Sequence, residues 1–282
     1  MIGVAEHTQI PTPAGTFDAL TAGPQEGRPV LLLHGFPEAA VEFSEQLAVL
    51  GGAECFAVAP DQRGYSPGVR PEQVSDYRMS ELVGDVLAIA EHFGWERFDL
   101  VGHDWGGAVA WATAAAHPDR VRTLTAVSTP HLDAFADALR NDEDQAQRSA
   151  YMKVFRSSTA EKTLLADGAT KLRRIYYPGV PDHHVDDYVQ RLTEPGALTA
   201  ALNWYRAARF DSDEIGPVRV PTLYVWSTED VALGSTAALA TAEHVTGPYR
   251  FEMLEDVTHW VPEEAPDSLN RLLLEHLLAH QD

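Results

Sequence analysis

An aspartate at position 104 stands between two glycines at the end of an apolar run. Residues 98–107 read Phe-Asp-Leu-Val-Gly-His-Asp-Trp-Gly-Gly. Phe98 to Val101 has the length and composition of a buried strand, and the small residues Ala108, Ala110 and Ala112 follow Trp105 in a helical stretch. Asp104 therefore falls on a strand-to-helix turn, with Gly102 two residues before it and Gly106 two after. This is the spacing of a nucleophile elbow, in which glycines let strand and helix close up and hold the central residue strained and exposed. The competing reading is an aspartate that caps the helix. Strand, turn and helix all fall where the elbow needs them, which favours a nucleophile.

A carboxylate in that place dictates the reaction. Serine would attack a carbonyl and be acylated. A carboxylate oxygen attacks a saturated carbon, displaces a leaving group and becomes an ester of the protein itself. Water must then attack the ester carbonyl, which calls for a histidine base, an acid to orient it and an oxyanion hole. Around such an elbow the acid and then the histidine follow the nucleophile along the chain. The apolar run Thr222 to Trp226 is followed by Ser-Thr-Glu-Asp, and Tyr249 to Leu254 by Glu-Asp-Val-Thr-His-Trp. Asp230 and His259 are thereby expected in loops at strand ends, where catalytic groups gather. Glu229 and Asp133 are the rival acids.

The oxyanion hole is expected from the backbone N–H groups of Trp105 and Phe36. Phe36 lies in the loop His34-Gly35-Phe36-Pro37, where the proline has no N–H to give. His34 ends a strand run, and His103 alternates away from its neighbour Asp104, so both are read as structural. His183 and His184 are adjacent and their side chains diverge, which argues against a metal pair. Neither a metal nor another cofactor is expected.

Positioning these groups takes a sheet. Val30 to Leu33, Cys55 to Ala59, Phe98 to Val101 and Thr123 to Val127 read as buried strands. Leu82, Val83, Val86, Leu87 and Ala90 repeat at helical spacing between them. Such alternation predicts a mostly parallel sheet with helices on both faces. The stretch 131–217 is helical and charged, broken by Pro178-Gly179 and Pro195-Gly196, with no comparable strand run. Alternation then resumes with Thr222 to Trp226, a helix over Ser235 to His244, a strand over Tyr249 to Leu254 and an amphipathic helix over Ser268 to His280. The sequence thus predicts a core domain of 1–130 and 218–282 and a helical cap of 131–217 inserted after the Thr123 to Val127 strand, the sixth strand by the family resemblance described below. A cap so placed sits where open sheets bind ligands.

At 282 residues and 45% hydrophobic content the chain can build one large core around such a sheet. The single cysteine, Cys55, excludes an internal disulfide and fits a cytoplasmic setting. Residues 1–10 have neither the basic start nor the apolar run of a secretory leader, and no stretch approaches the ~20 apolar residues of a membrane span. The formal charge of -21 argues against nucleic acid as a partner. The expected partners are a small molecule and water, with monomer and homodimer both compatible.

Taken together, His-Gly-Phe-Pro-Glu (34–38), Asp-Gln-Arg-Gly-Tyr-Ser (61–66), Gly-His-Asp-Trp-Gly-Gly (102–107) and Thr-His-Trp-Val-Pro-Glu (258–263) resemble the soluble epoxide hydrolase branch of the α/β-hydrolase fold. The resemblance runs over nearly the whole chain. It implies an epoxide substrate and two cap tyrosines that hydrogen-bond the epoxide oxygen. Tyr151 opens a Tyr-x-x-x-Phe stretch ending at Phe155, and Tyr205 sits in Asn203-Trp204-Tyr205-Arg206, both as in that family. Two phenols there would stabilise the alkoxide that an opening epoxide becomes. Tyr205 also shares a helix face with Leu198, Ala201 and Leu202. Tyr176, Tyr177 and Tyr188 are further cap tyrosines. Phe36, Trp105, Trp204 and Trp260 are expected to supply apolar walls for the substrate. Haloalkane dehalogenases share the carboxylate nucleophile, and a fold of this kind can also serve as a silent binding protein. Phe36 after His-Gly departs from the dehalogenase pattern, and Trp105 after the nucleophile departs from that of fluoroacetate dehalogenases.

Overall fold

The computed structural model describes residues 5–209 and 214–281. Residues 1–4 of the N-terminal stretch lie outside them. The chain opens with β1 (Glu6–Thr12) and β2 (Gly15–Ala22), then β3 (Arg28–Leu33), α1 (Ser44–Gly52), β4 (Cys55–Pro60) and α2 (Met79–His92). Next come β5 (Phe98–His103), α3 (Trp105–Ala116) and β6 (Val121–Val127). The helical insert follows as α4 (Leu132–Asn141), α5 (Glu143–Arg148), α6 (Tyr151–Phe155), α7 (Ala160–Ile175), α8 (Asp182–Leu192) and α9 (Ala197–Ala207). The core closes with β7 (Thr222–Ser227), α10 (Ser235–Ala240), β8 (Tyr249–Leu254), α11 (Val261–Glu264) and α12 (Pro266–Ala279).

The strands form one eight-stranded sheet in the order β1-β2-β4-β3-β5-β6-β7-β8. β3 to β8 run parallel, and the β1–β2 hairpin joins antiparallel at one edge. The central strands β4, β5 and β7 are buried along their whole length, which is why they read as unbroken apolar runs. This is the α/β-hydrolase architecture, with a helical insert, α4–α9, after β6. Chain order reverses around β3: β4 lies on one side of it and β5 on the other. Such a switch point opens a crevice at the carboxyl ends of the strands. Leu33 pairs with Gly102, so the loop after β3 and the turn after β5 leave the sheet side by side.

Candidate active site

The turn after β5 is strained. Asp104 has φ +48° and ψ -118°, a conformation costly for a residue with a side chain. It precedes α3, yet its carboxylate makes no capping hydrogen bond to the helix, so the capping alternative does not account for it. Close approach explains the glycine that follows: a Cβ on Gly106 would stand 1.9 Å from the Leu33 carbonyl oxygen. Thr129, after β6, donates its hydroxyl to the Asp104 carbonyl at 2.7 Å and holds the turn from the other side.

The loop after β3 comes up against the carboxylate. The Phe36 N–H donates to Asp104 Oδ1 at 2.8 Å. A Cβ on Gly35 would lie 2.4 Å from the Asp104 Cβ, so only glycine lets the loop come this near. His34 secures the loop from beneath. Its Nε2 accepts the Gln62 N–H at 2.9 Å, so its Nδ1 donates to the Gly35 carbonyl at 2.8 Å. Burial lowers its pKa, consistent with a neutral ring. Trp105 is the first residue of α3, where a backbone N–H lies outside the helix's own ladder.

His259 stands between two carboxylates. Its Nδ1 lies 2.7 Å from Asp230 Oδ2, and its Nε2 lies 3.3 Å from Asp104 Oδ2. Burial works against a charge on the ring, but the Asp230 charge and the hydrogen bonds to Asp104 and Asp230 outweigh it and push the pKa up to about 10. Asp230 is buried, and its Oδ1 accepts the N–H groups of Ala232 and Leu233 at 2.8 and 2.9 Å. Of the rival acids, Glu229 is exposed. Asp133 is occupied elsewhere, accepting the N–H groups of Ile215 and Gly216 at 3.0 and 3.2 Å.

His103 faces away from the nucleophile. Its Nδ1 lies 3.1 Å from Glu38 Oε2 and its Nε2 2.9 Å from the His259 carbonyl. Both neighbours are acceptors, so both nitrogens carry protons and the ring is a cation. Burial opposes that charge, and the adjacent Glu38 and Glu42 raise its pKa despite it. Ser128 donates to the same His259 carbonyl at 2.9 Å. Glu38, although part of the His-Gly-Phe-Pro-Glu stretch, gave no separate signal of this contact in the sequence.

Above Asp104 lies a cavity of about 30 Å³ whose wall includes Trp105, Leu132, Tyr151, Tyr205 and Leu233. The Tyr205 ring packs edge-on against Trp105 and against Tyr151, with centroids 5.1 and 6.2 Å apart. Burial first raises both tyrosine pKa values, and the nearby Asp104 charge adds to the effect, so both remain protonated donors. The other cap tyrosines bond elsewhere: Tyr176 to the Pro37 carbonyl, Tyr188 to Glu263, and Tyr177 to Asp182 on the surface. The expected aromatic walls are differently disposed. The Phe36 ring packs on Phe155 and Tyr205. Trp204 stands behind Trp105, beside a separate cleft of about 600 Å³, with its indole N–H on the Arg63 carbonyl. Trp260 lies against His259 and Tyr176, outside the wall of the small cavity.

The sequence profile of the alpha/beta hydrolase fold family matches residues 28–266. The chain belongs to that family. Within it this α/β-hydrolase is related to epoxide hydrolases. It is 32% identical over 300 residues to epoxide hydrolase A of Mycobacterium tuberculosis, covering 90% of this chain and 91% of the relative. It is 33% identical over 270 residues to the AB hydrolase superfamily protein YfhM of Bacillus subtilis, covering 93% and 94%. A solved structure described as a novel epoxide hydrolase from metagenomes of hot environments superposes with a TM-score of 0.88 at 28% identity, covering 96% of this chain and 98% of that one. Among the described residues, no helix of this α/β-hydrolase is long and apolar enough to cross a membrane.

Proposed function

We propose that this α/β-hydrolase opens an epoxide to a vicinal diol through an ester on Asp104. The observation that carries the reading is a carboxylate at the elbow and two protonated phenols in one cavity, Tyr205 buried and Tyr151 half-buried. The core, 1–130 and 218–282, supplies the triad, and the cap, 131–217, supplies the phenols.

Tyr151 and Tyr205 donate to the epoxide oxygen. An Asp104 oxygen attacks a ring carbon from the opposite side; the new C–O bond forms as the ring C–O bond breaks, and the leaving alkoxide takes a proton from one of the two phenols, which water then restores. His259, held by Asp230, then removes a proton from water. The hydroxide attacks the Asp104 carbonyl carbon, and the N–H groups of Phe36 and Trp105 hold the oxyanion. The ester C–O bond breaks, the alcohol takes the proton, and Asp104 is regenerated. The substrates are the epoxide and water, and no cofactor takes part.

His259 changes role between the steps. Beside two carboxylates it is protonated at neutral pH. Esterification removes the Asp104 charge and with it one cause of the raised pKa, so the ring releases its proton to water and becomes the base that hydrolysis needs.

Incubation with styrene oxide and, separately, 1-bromobutane tests the reading. Diol without bromide is expected. Bromide without diol would transfer the assignment to a haloalkane dehalogenase using the same Asp104. Neither product, together with no ester trapped in His259→Gln across an epoxide panel, would leave a silent binding fold.

A further inference from the structure

The candidate acid is carried on a short loop between β7 and α10. Within the loop, Asp230 Oδ1 is taken by the N–H groups of Ala232 and Leu233, which leaves Oδ2 for His259. The backbone of the same loop is gripped from outside by the cap. Gln145, on α5, is fully buried. Its Nε2 donates to the Ala232 carbonyl at 2.9 Å, and its Oε1 accepts the Gly234 N–H at 2.8 Å. A second proton on Nε2 goes to the Ser149 hydroxyl at 3.0 Å. One nitrogen facing two oxygens and one oxygen facing an N–H fix the orientation of the amide. Arg148, one turn further on, donates to the Asp230 carbonyl at 2.6 Å and is itself steadied by Asp144.

A buried glutamine is unfavourable unless each polar atom finds a partner. Here both ends of the amide are satisfied by the loop that carries the acid, with the geometry of one peptide pairing with another. The partners lie 87 and 89 positions away in sequence, so folding of the cap and shape of the loop are joined.

We propose that Gln145, assisted by Arg148, is a positioning residue that acts through Asp230 on His259 and thereby governs hydrolysis of the ester rather than its formation. The inference rests on the two-step reading above. Attack by Asp104 on carbon needs no base, so a tilt of the Asp230–His259 pair leaves that step nearly untouched. Removal of a proton from water depends on the direction of the imidazole, and small misplacements of a general base are costly.

The test is single-turnover kinetics with styrene oxide on the full chain, following ester formation and decay by mass spectrometry of acid-quenched samples. Gln145→Leu keeps the bulk and removes both loop contacts. Its ester should form within about twofold of the wild-type rate and decay roughly tenfold or more slowly, so that ester accumulates. Arg148→Gln, at a partly exposed site, should change decay in the same direction by less. Unchanged decay, or parallel loss of both rates, would overturn the proposal, since a merely structural residue moves both. If Gln145→Leu fails to fold, Arg148→Gln decides by the same comparison. If the wild type forms no ester with any epoxide, the proposed function has failed on its own account. The titration of His259 by NMR then separates the two: a downward move in the Gln145→Leu or Arg148→Gln protein would keep the positioning role, and an unmoved titration would end it.

Discussion

His259 bridges Asp104 and Asp230, with Nε2 3.3 Å from one carboxylate and Nδ1 2.7 Å from the other. The same ring is thus tied to the group that would form the ester and to the group that would orient it for breaking the ester.

His259→Gln should form the ester and fail to release it. Intact-protein mass spectrometry after exposure to styrene oxide should show a gain equal to one epoxide, absent from Asp104→Ala. A His259→Gln protein that still releases diol at the wild-type rate would assign the base elsewhere.

Asp104→Ala should lower the His259 titration from its value of about 10, because it removes one of the hydrogen bonds that hold the proton. The direction for stability follows. A histidine whose folded pKa is raised contributes stability fully below about pH 6.5 and loses it as pH climbs toward 10. Wild type should therefore lose more stability than Asp104→Ala between pH 7 and 10, measured by urea unfolding at each pH.

Tyr151→Phe and Tyr205→Phe should each slow ester formation by about 10- to 100-fold, since one phenol remains, and the double variant should fall much further. Stopped-flow tryptophan fluorescence reads this step. The Tyr205 effect should be the larger, because Phe36, Trp105 and Phe155 pack around that ring and hold it in place. Loss confined to ester decay would remove both tyrosines from the opening step.

Leu132 and Trp105 each face both the small cavity above Asp104 and the larger cleft beyond. The space beside Asp104 is narrow, so a long chain has to thread past this wall. In a series of terminal epoxides, kcat/KM should fall from four carbons to ten. Leu132→Ala should flatten that fall by joining the two spaces. A wild type indifferent to chain length would refute the wall.

The legible part of the candidate site was the part written in contiguous residues. Asp104 is framed by its own glycines and strand, and His259 by the loop after β8, so each carries its context with it. Asp230 required the order of elements as well, because Glu229 is its neighbour, and only the folded chain separates them: Glu229 is exposed while Asp230 is buried against His259. The β1–β2 hairpin left little pattern: β1 buries only Ile10 and contains Pro11, an edge-strand feature. Gln145 left none, since it lies in a charged helical stretch and its meaning depends on a loop nearly ninety residues away. The walls expected of Trp204 and Trp260 show the same limit. An aromatic residue near a motif can equally face the layer behind it, and packing of the cap decides which.

The Asp133 carboxylate, at the start of α4, binds the N–H groups of Ile215 and Gly216, where the chain returns toward β7. The insert therefore leaves the core and comes back through one fastened neck, so the sheet experiences it much as it would a short surface turn. Such a neck makes the cap a cassette that variation can exchange while the elbow stays fixed. The clasp of α5 on the Asp230 loop, like the bonds of Tyr176 to Pro37 and of Trp204 to Arg63, would have to be kept in any chimera that is to remain active.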